Sequence, residues 1–118
     1  MKYVCLVYGE EKDLHAMSPE RLVRLNADSL AYDRSVKQSG RLIIAQALQS
    51  VKTSKTVRRR KGKRLITDGP FAETKEQLLG FVMIEAGDID EALEIAGGIP
   101  LAEIGTIEVR AIYNLPGS

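Results

Sequence analysis

The chain has 118 residues, 44% of them apolar and 28% charged, which is typical of an ordinary globular protein with a single domain spanning residues 1–118. Its formal net charge of +1 gives no bulk attraction to nucleic acid, and its one cysteine excludes an intramolecular disulfide framework and suits a reducing compartment. No apolar run is long enough to cross a bilayer and the N-terminus does not resemble a signal peptide, so we expect a cytoplasmic protein without a membrane partner.

Apolar periodicity, helix caps and glycine-containing turns divide the chain into strands and helices. Ser18 followed by Pro19 is typical of a helix start, because a serine hydroxyl accepts a first-turn N–H and proline lacks an N–H that would be unpaired there. Asp88 with Glu91 has the spacing of a capping box, and Lys61-Gly62 is typical of a tight hairpin turn. The predicted elements, in chain order, are a strand at 3–8, a polar loop at 9–17, a helix from Ser18 to Gly40, a strand at 41–48, short strands at 55–60 and 63–67, a strand at 80–85, a helix from Asp88 to Gly97 and a strand at 106–113.

This order, β-α-β-hairpin-β-α-β, predicts an α+β fold with a ferredoxin-like split βαβ topology and an extra β-hairpin. The two helices would cover one face of an antiparallel sheet. The other face would still carry apolar side chains, which a domain of this size rarely leaves in water. We therefore expect a second copy of the chain to cover that face in a homodimer.

The segment Asp68-Gly69-Pro70-Phe71 places a carboxylate where a strand ends and a turn begins. Turns often present side chains to clefts, so Asp68 is the leading candidate for a catalytic acid, base or ligand-orienting group. The structural alternative is that the carboxylate caps the turn by accepting backbone N–H groups. Glu73, Lys75 and Glu76 follow. These residues and Asp68 either shift one another's pKa or form a solvated charged loop.

Ser29 is a polar residue within the apolar stripe of the first long helix, and Tyr32 follows one turn later. Both are candidates for lining a ligand-binding cleft. The structural alternatives are a serine hydroxyl that bonds back to a carbonyl of its own helix, and a tyrosine that belongs to the core. No histidine follows at a spacing that would activate Ser29 as a nucleophile.

The predicted hairpin is strongly basic, and no acid interrupts its eight lysines and arginines. Such a patch can attract a polyanion, but it lacks aromatic residues for base stacking and does not lie on a groove-reading helix, so nucleic acid is disfavoured. Charge also protects exposed strand edges from unwanted pairing. In a third interpretation Arg58 and Arg60, which share one strand face, line the cleft and favour an anionic small molecule. The basic residues are Lys52, Lys55, Arg58, Arg59, Arg60, Lys61, Lys63 and Arg64.

We expect neither a metal nor a cofactor. His15 is the only histidine, and no spacing of Cys, His or Asp resembles a zinc, calcium or iron site. The sequence has no phosphate loop, dinucleotide-binding fingerprint or nucleophile elbow, and Gly97-Gly98 is typical of a helix end. Cys5 lies inside the first strand and is expected to be a small buried residue.

The chain resembles the YCII-related family, and within it the branch named for the Asp-Gly-Pro-Phe motif. The signature occupies residues 67–78, and matching segments extend from the first strand, 1–10, to the last strand, 105–110. The resemblance implies a ferredoxin-like fold that dimerises into an α+β barrel, with an active-site cleft near Asp68. Relatives in the founding branch carry a histidine on the first helix that is proposed to work with this aspartate. The equivalent residue here is Ser29, so the resemblance implies no His/Asp pair.

Two functions remain open at the level of the sequence. The first is a cofactor-independent small-molecule enzyme in which Asp68 is the acid, base or orienting carboxylate. Ser29 and Tyr32 would then line the cleft, and Arg58 or Arg60 would attract an anionic group. The second is a non-catalytic dimeric module for ligand binding or regulation, a setting implied by the association of family members with sigma-factor systems.

Overall fold

The computed structural model describes all residues from Met1 to Ser118. It contains six strands, three α-helices and two short 3-10 turns, and none of the helices is long and apolar enough to cross a bilayer. The strands are β1 (Lys2–Gly9), β2 (Leu42–Ala47), β3 (Lys55–Arg60), β4 (Lys63–Asp68), β5 (Gln77–Glu85) and β6 (Thr106–Ala111); the helices are α1 (Glu11–His15), α2 (Pro19–Gln38) and α3 (Ile89–Gly97); the 3-10 turns are Val51–Thr53 and Pro100–Glu103.

Both long helices begin at the predicted caps. The Ser18 hydroxyl accepts a first-turn N–H of α2 at 3.2 Å, and the Asp88 carboxylate accepts the N–H of Glu91 at 2.9 Å. The Glu91 carboxylate in turn accepts the N–H of Gly87 at 3.1 Å and pairs with Arg41. The bonds to Ser18 and Asp88 satisfy backbone donors that the first turn of a helix leaves unpaired.

Four strands form one antiparallel sheet in the order β2-β5-β1-β6. This is the ferredoxin-like arrangement, so the predicted α+β class and split βαβ topology are confirmed. β5 and β1 lie at the centre of the sheet, and β2 and β6 lie at its edges. β5, the strand that follows the β3–β4 hairpin, therefore lies between β1 and β2.

One face of the sheet packs against the helices. Tyr3, Cys5 and Val7 of β1 are buried on this face, together with Val82 and Ile84 of β5. The helices and the segment after α3 complete the core with Val36, Ala92, Ala96 and Ile99. Cys5 is fully buried, as predicted.

The opposite face of the sheet carries apolar side chains that no other element covers. The register places Leu6 opposite Phe81 and Val4 opposite Met83 on this open face, and these four side chains are only half-buried. Polar residues lie towards both edges of the same face. Its members are Val4, Leu6, Tyr8, Ile44, Gln46, Leu78, Phe81, Met83, Thr106, Glu108 and Arg110.

The β3–β4 hairpin, residues 55–68, forms a sheet of its own, and we call it the arm. Its turn is the predicted one, with positive φ at Lys61 (50°) and Gly62 (75°). Every strand residue of the arm except Thr56 is exposed. The radius of gyration is 16.3 Å, whereas a compact chain of this length would give about 13.5 Å, in keeping with an arm that projects from the body.

Some predicted bounds were wrong. The segment 9–17 is not a continuous loop, because it contains α1, whose first N–H donates to the Gln77 side chain at 2.9 Å. That bond spans 66 residues, so local periodicity could not indicate it. β5 begins at Gln77 rather than at residue 80, because its first residues pair with Tyr8 and Gly9 beyond a register shift. The last strand ends at Ala111 rather than at residue 113.

Candidate functional site

Asp68 is the last residue of β4 and lies at the root of the arm. Its carboxylate accepts a hydrogen bond from the Lys55 ammonium at 2.6 Å, across the register pair that joins the two residues. The Asp68 side chain is 87% exposed. Exposed ion pairs of this kind contribute only about 0.2–1 kcal/mol, so a ligand can displace Lys55 from the carboxylate at little cost.

The turn after Asp68 is held by backbone and hydroxyl groups. Gly69 adopts a left-handed φ of 93°, a conformation in which glycine carries no steric penalty. Its N–H donates to the carbonyl of Ser54 at 2.8 Å, and its carbonyl accepts the Thr56 hydroxyl at 2.8 Å. The only hydrogen-bond partner of the Asp68 carboxylate is Lys55. The turn therefore keeps its shape without the carboxylate, which leaves Asp68 free for other contacts.

The arm places its cations on two faces. Arg58 and Arg60 lie on one face with Thr56, as the alternation of strand residues predicted. Asp68 lies on the other face, because its register partner is Lys55 and not Thr56. The cations that share a face with Asp68 are Lys55, Arg59 and Arg64.

A second group of charges lies where β1 ends, and the sequence did not single it out. The Glu10 side chain is only 14% exposed and pairs with Lys12 at 3.4 Å and with Lys75 at 3.8 Å. Lys75 therefore pairs with Glu10 and not with Asp68, while Glu73 and Glu76 have no ion-pair partner. The alternation of β1 continues through Tyr8 to Glu10. Extending that pattern by one step would have indicated that Glu10 belongs to the open face.

Glu11 connects this charge cluster to the root of the arm. Its carboxylate accepts the N–H of Val51 at 2.9 Å, and Val51 begins the 3-10 turn that leads into β3. Its own N–H is bonded to Gln77, at the start of β5. Glu11 thus ties the end of β1 to the start of β5 and to the segment that leads into the arm.

Ser29 and Tyr32 lie in the helical layer, on α2. The Tyr32 hydroxyl donates to the carbonyl of Ile95 in α3, which ties the two helices together. Burial raises the pKa of Tyr32, and the nearby Cys5 and Glu94 add to the rise, so the phenol remains protonated at neutral pH. Ser29 is half-buried, and its hydroxyl makes no hydrogen bond. Asp33 follows Ser29 by one turn, and burial raises the pKa of its carboxyl group.

Two principal cavities open on the helical side of the molecule. The larger, about 790 Å³, lies between α2 and the Pro100–Glu103 turn and includes Tyr32 in its lining. The smaller, about 510 Å³, lies between α2 and α3. Neither cavity is lined by Asp68, Ser29, Arg58 or Arg60. No group of three or more Cys, His, Asp or Glu side chains is arranged to hold a metal ion.

The fold thus brings the sequence-predicted residues to three places. Asp68 lies at the root of the arm, Arg58 and Arg60 lie on the opposite face of the arm, and Ser29 with Tyr32 lies in the helical layer. The cation that the fold places against Asp68 is Lys55, whereas Arg59 and Arg64 lie on the same face of the arm but four residues further along the strands.

Comparison with known proteins gives a consistent family. The model of the YCII-related domain matches residues 1–116, so the chain belongs to that family. An uncharacterized protein of Rhizobium meliloti (strain 1021) is 39% identical over 121 residues, which cover 99% of this chain and 97% of the relative. Among solved structures, the 5-chloro-2-hydroxyhydroquinone dehydrochlorinase of Burkholderia phenoliruptrix AC1100, in complex with 2,5-dihydroxybenzoquinone, matches with a TM-score of 0.58. It is 14% identical, and the match covers 96% of this chain and 94% of that chain, so it shows a shared fold.

Proposed function

We propose that this member of the YCII-related family is a cofactor-independent enzyme that acts as a homodimer on a small anionic molecule, with Asp68 as its acid–base or orienting carboxylate. We assign it to the Asp-Gly-Pro-Phe branch of the family on the signature at residues 67–78. The single free thiol, Cys5, is compatible with the reducing cytoplasm in which we expect it to work.

The state of the Asp68 carboxylate is the observation that carries this proposal. A turn-capping aspartate would accept backbone N–H groups, but here the turn is held by Gly69, Ser54 and Thr56. The carboxylate is exposed and has only the Lys55 ammonium as a partner. A carboxylate beside a movable ammonium can orient a hydroxyl group or exchange a proton with it.

The open face of the sheet supports the homodimer. Leu6, Phe81, Val4 and Met83 form an apolar centre with polar residues towards the edges, which is the composition expected of a covered interface. The Asp68 side chain is 87% exposed in a single chain, so no wall encloses it there. We expect a second copy placed over the open face to supply such a wall.

The proposed substrate class follows from the charge next to Asp68. Lys55 bonds directly to Asp68, and its ammonium would attract a carboxylate or a phenolate. The dehydrochlorinase that shares this fold acts on a small hydroxylated ring, so the fold is compatible with chemistry on molecules of that size. No comparable observation favours the non-catalytic regulatory module.

The proposal can be tested with 2,5-dihydroxybenzoquinone and a panel of small phenolic acids as probes. Binding would be measured by calorimetry for the wild type, Asp68→Asn and Glu73→Gln. Glu73 is an exposed carboxylate in the loop after the turn and has no ion-pair partner, so it is a matched control. Losing a hydrogen bond to a charged group costs about 1.5–3 kcal/mol, so we expect Asp68→Asn to bind a recognised probe at least about tenfold more weakly, and Glu73→Gln to bind as the wild type does.

Two results would overturn the proposal separately. Unchanged probe binding and folding in Asp68→Asn would exclude Asp68 from the site. Sedimentation as a monomer at micromolar concentration would exclude the homodimer, whatever the behaviour of Asp68.

A further inference from the structure

The arm and the rest of the chain carry opposite charges. The arm, residues 55–68, has seven lysines and arginines and one aspartate. The remaining residues have ten lysines and arginines against fifteen acids. Residues 76–109, which include α3, contain eight acids and no lysine or arginine. The near-neutral chain is therefore a basic arm joined to an acidic body.

The arm also has an uncovered apolar centre. Val57 and Ile66 are register partners on the Asp68 face, and they are 63% and 56% exposed. On the same face, the pair Arg59–Arg64 lies between them and the hairpin turn, and the pair Lys55–Asp68 lies at the other end of the arm. An isolated two-stranded hairpin is at best marginally stable in water, so a partner that covers this face would stabilise the arm.

The outer face of α3 has the complementary pattern. Ile89 and Leu93 lie one turn apart and are 44% and 52% exposed. Asp90 and Glu94 are exposed beside them and have no ion-pair partner, whereas Glu91 is already bonded to Arg41. An apolar pair flanked by free carboxylates can receive an apolar pair flanked by free guanidinium groups.

We propose that the arm of each protomer packs on α3 of a second copy of the chain, with Val57 and Ile66 against Ile89 and Leu93. Arg59 and Arg64 then face Asp90 and Glu94 of the other copy. The arm follows edge strand β2, and α3 packs beside the opposite edge strand, β6. A two-fold axis parallel to the strands places β2 of each protomer over β6 of its partner, which brings each arm to the correct edge.

A second copy fits the arm better than nucleic acid does. The arm has no aromatic residue for base stacking, and its apolar pair occupies the centre of the face that a phosphate backbone would contact. The acidic and apolar surface that the arm requires is present on the same chain. This interaction rests on the proposed homodimer, but it does not depend on Asp68 taking part in a reaction.

The test is a charge exchange between two variants. Arg59→Glu/Arg64→Glu reverses the arm, and Asp90→Lys/Glu94→Lys reverses α3. Each variant alone would place like charges together, so we expect its dimer Kd, measured by sedimentation, to rise about tenfold. An equimolar mixture restores attraction at both contacts of a heterodimer. Native mass spectrometry should therefore show heterodimers well above the statistical half.

The matched control is Arg58→Glu/Arg60→Glu, which makes the same change of net charge on the opposite face of the arm. We expect a clearly smaller rise in Kd from this control. An equal rise in the dimer Kd of this control would show that only bulk charge matters. A statistical mixture of homodimers and heterodimers would show that the arm does not contact α3 of the partner. Either result overturns the proposal. Loss of binding to a 20-base-pair DNA duplex in the arm-reversed variant, with an unchanged dimer Kd, would overturn it in favour of nucleic acid. Circular dichroism of every variant checks that the fold is intact.

Discussion

Substitution of Gly80 by alanine tests how closely β2 and β5 approach each other. A Cβ at position 80 would lie 2.5 Å from the carbonyl oxygen of Gln46 and 3.2 Å from the Cα of Ala47, whereas ordinary contacts begin at 3.4 Å. Both neighbours are backbone atoms of β2, so no side-chain rotation relieves the clash. The edge strand has to move by about 1 Å, which disturbs its pairing with the central strand.

Overpacking of this kind typically costs about 1–3 kcal/mol. For a chain of this length, 1 kcal/mol corresponds to about 3–5 °C in Tm, so we expect Gly80→Ala to melt about 5–10 °C below the wild type in a calorimetric scan. Gly87→Ala is the matched control, because a Cβ there meets no atom within 4 Å and its φ is not positive. We expect the control to stay within about 0.5 kcal/mol of the wild type. Equal melting of the two variants would refute the close approach of β2 and β5.

Two further predictions follow from the ionisable groups. The Cys5 side chain is fully buried, and burial raises the pKa of its thiol to about 11. Ellman's reagent at pH 8 should therefore label Cys5 only after denaturation. Rapid labelling of the folded protein would contradict the buried position. The N–H of Gly87 and the Arg41 guanidinium lower the pKa of the Glu91 carboxyl group. The ionised carboxylate therefore stabilises the fold above its unfolded pKa of about 4.3, and this stabilisation is lost as the pH falls through the lower pKa of the folded state. Urea unfolding between pH 7 and 3 should therefore show a shallower loss of stability in Glu91→Gln than in the wild type, and identical slopes would refute the assignment.

Much of the fold could be predicted from local patterns. Ser18 and Asp88 cap their helices, and Lys61-Gly62 makes the hairpin turn, because capping and turn formation depend on residues close together in sequence. The α1 helix and the first residues of β5 were missed, because they depend on Gln77 reaching Glu11 and on pairing with Gly9. Contacts between residues so far apart in the sequence do not affect the local periodicity of apolar residues.

The candidate site was only partly predictable for the same kind of reason. The Asp-Gly-Pro-Phe turn identified Asp68 as a displayed carboxylate, and the alternation of β3 correctly grouped Arg58 with Arg60. It could not show that Asp68 lies on the other face, because that depends on the register between the two strands of the arm. Glu10 was missed because it lies one residue beyond the end of β1 and because its ion pair with Lys75 joins positions that are far apart in the sequence.

The central position of β5 also determines when the protein can fold during synthesis. β1 and β2 do not pair with each other, and β2 pairs only with β5, which ends at Glu85. While residues 1–76 emerge from the ribosome, the β3–β4 hairpin is therefore the only sheet structure that can form. Strand pairs that close over long sequence separations form slowly and leave edges exposed in the meantime. We thus expect the four-stranded sheet to assemble late, and a chain that ends before Gln77 to lack all of its strand pairing.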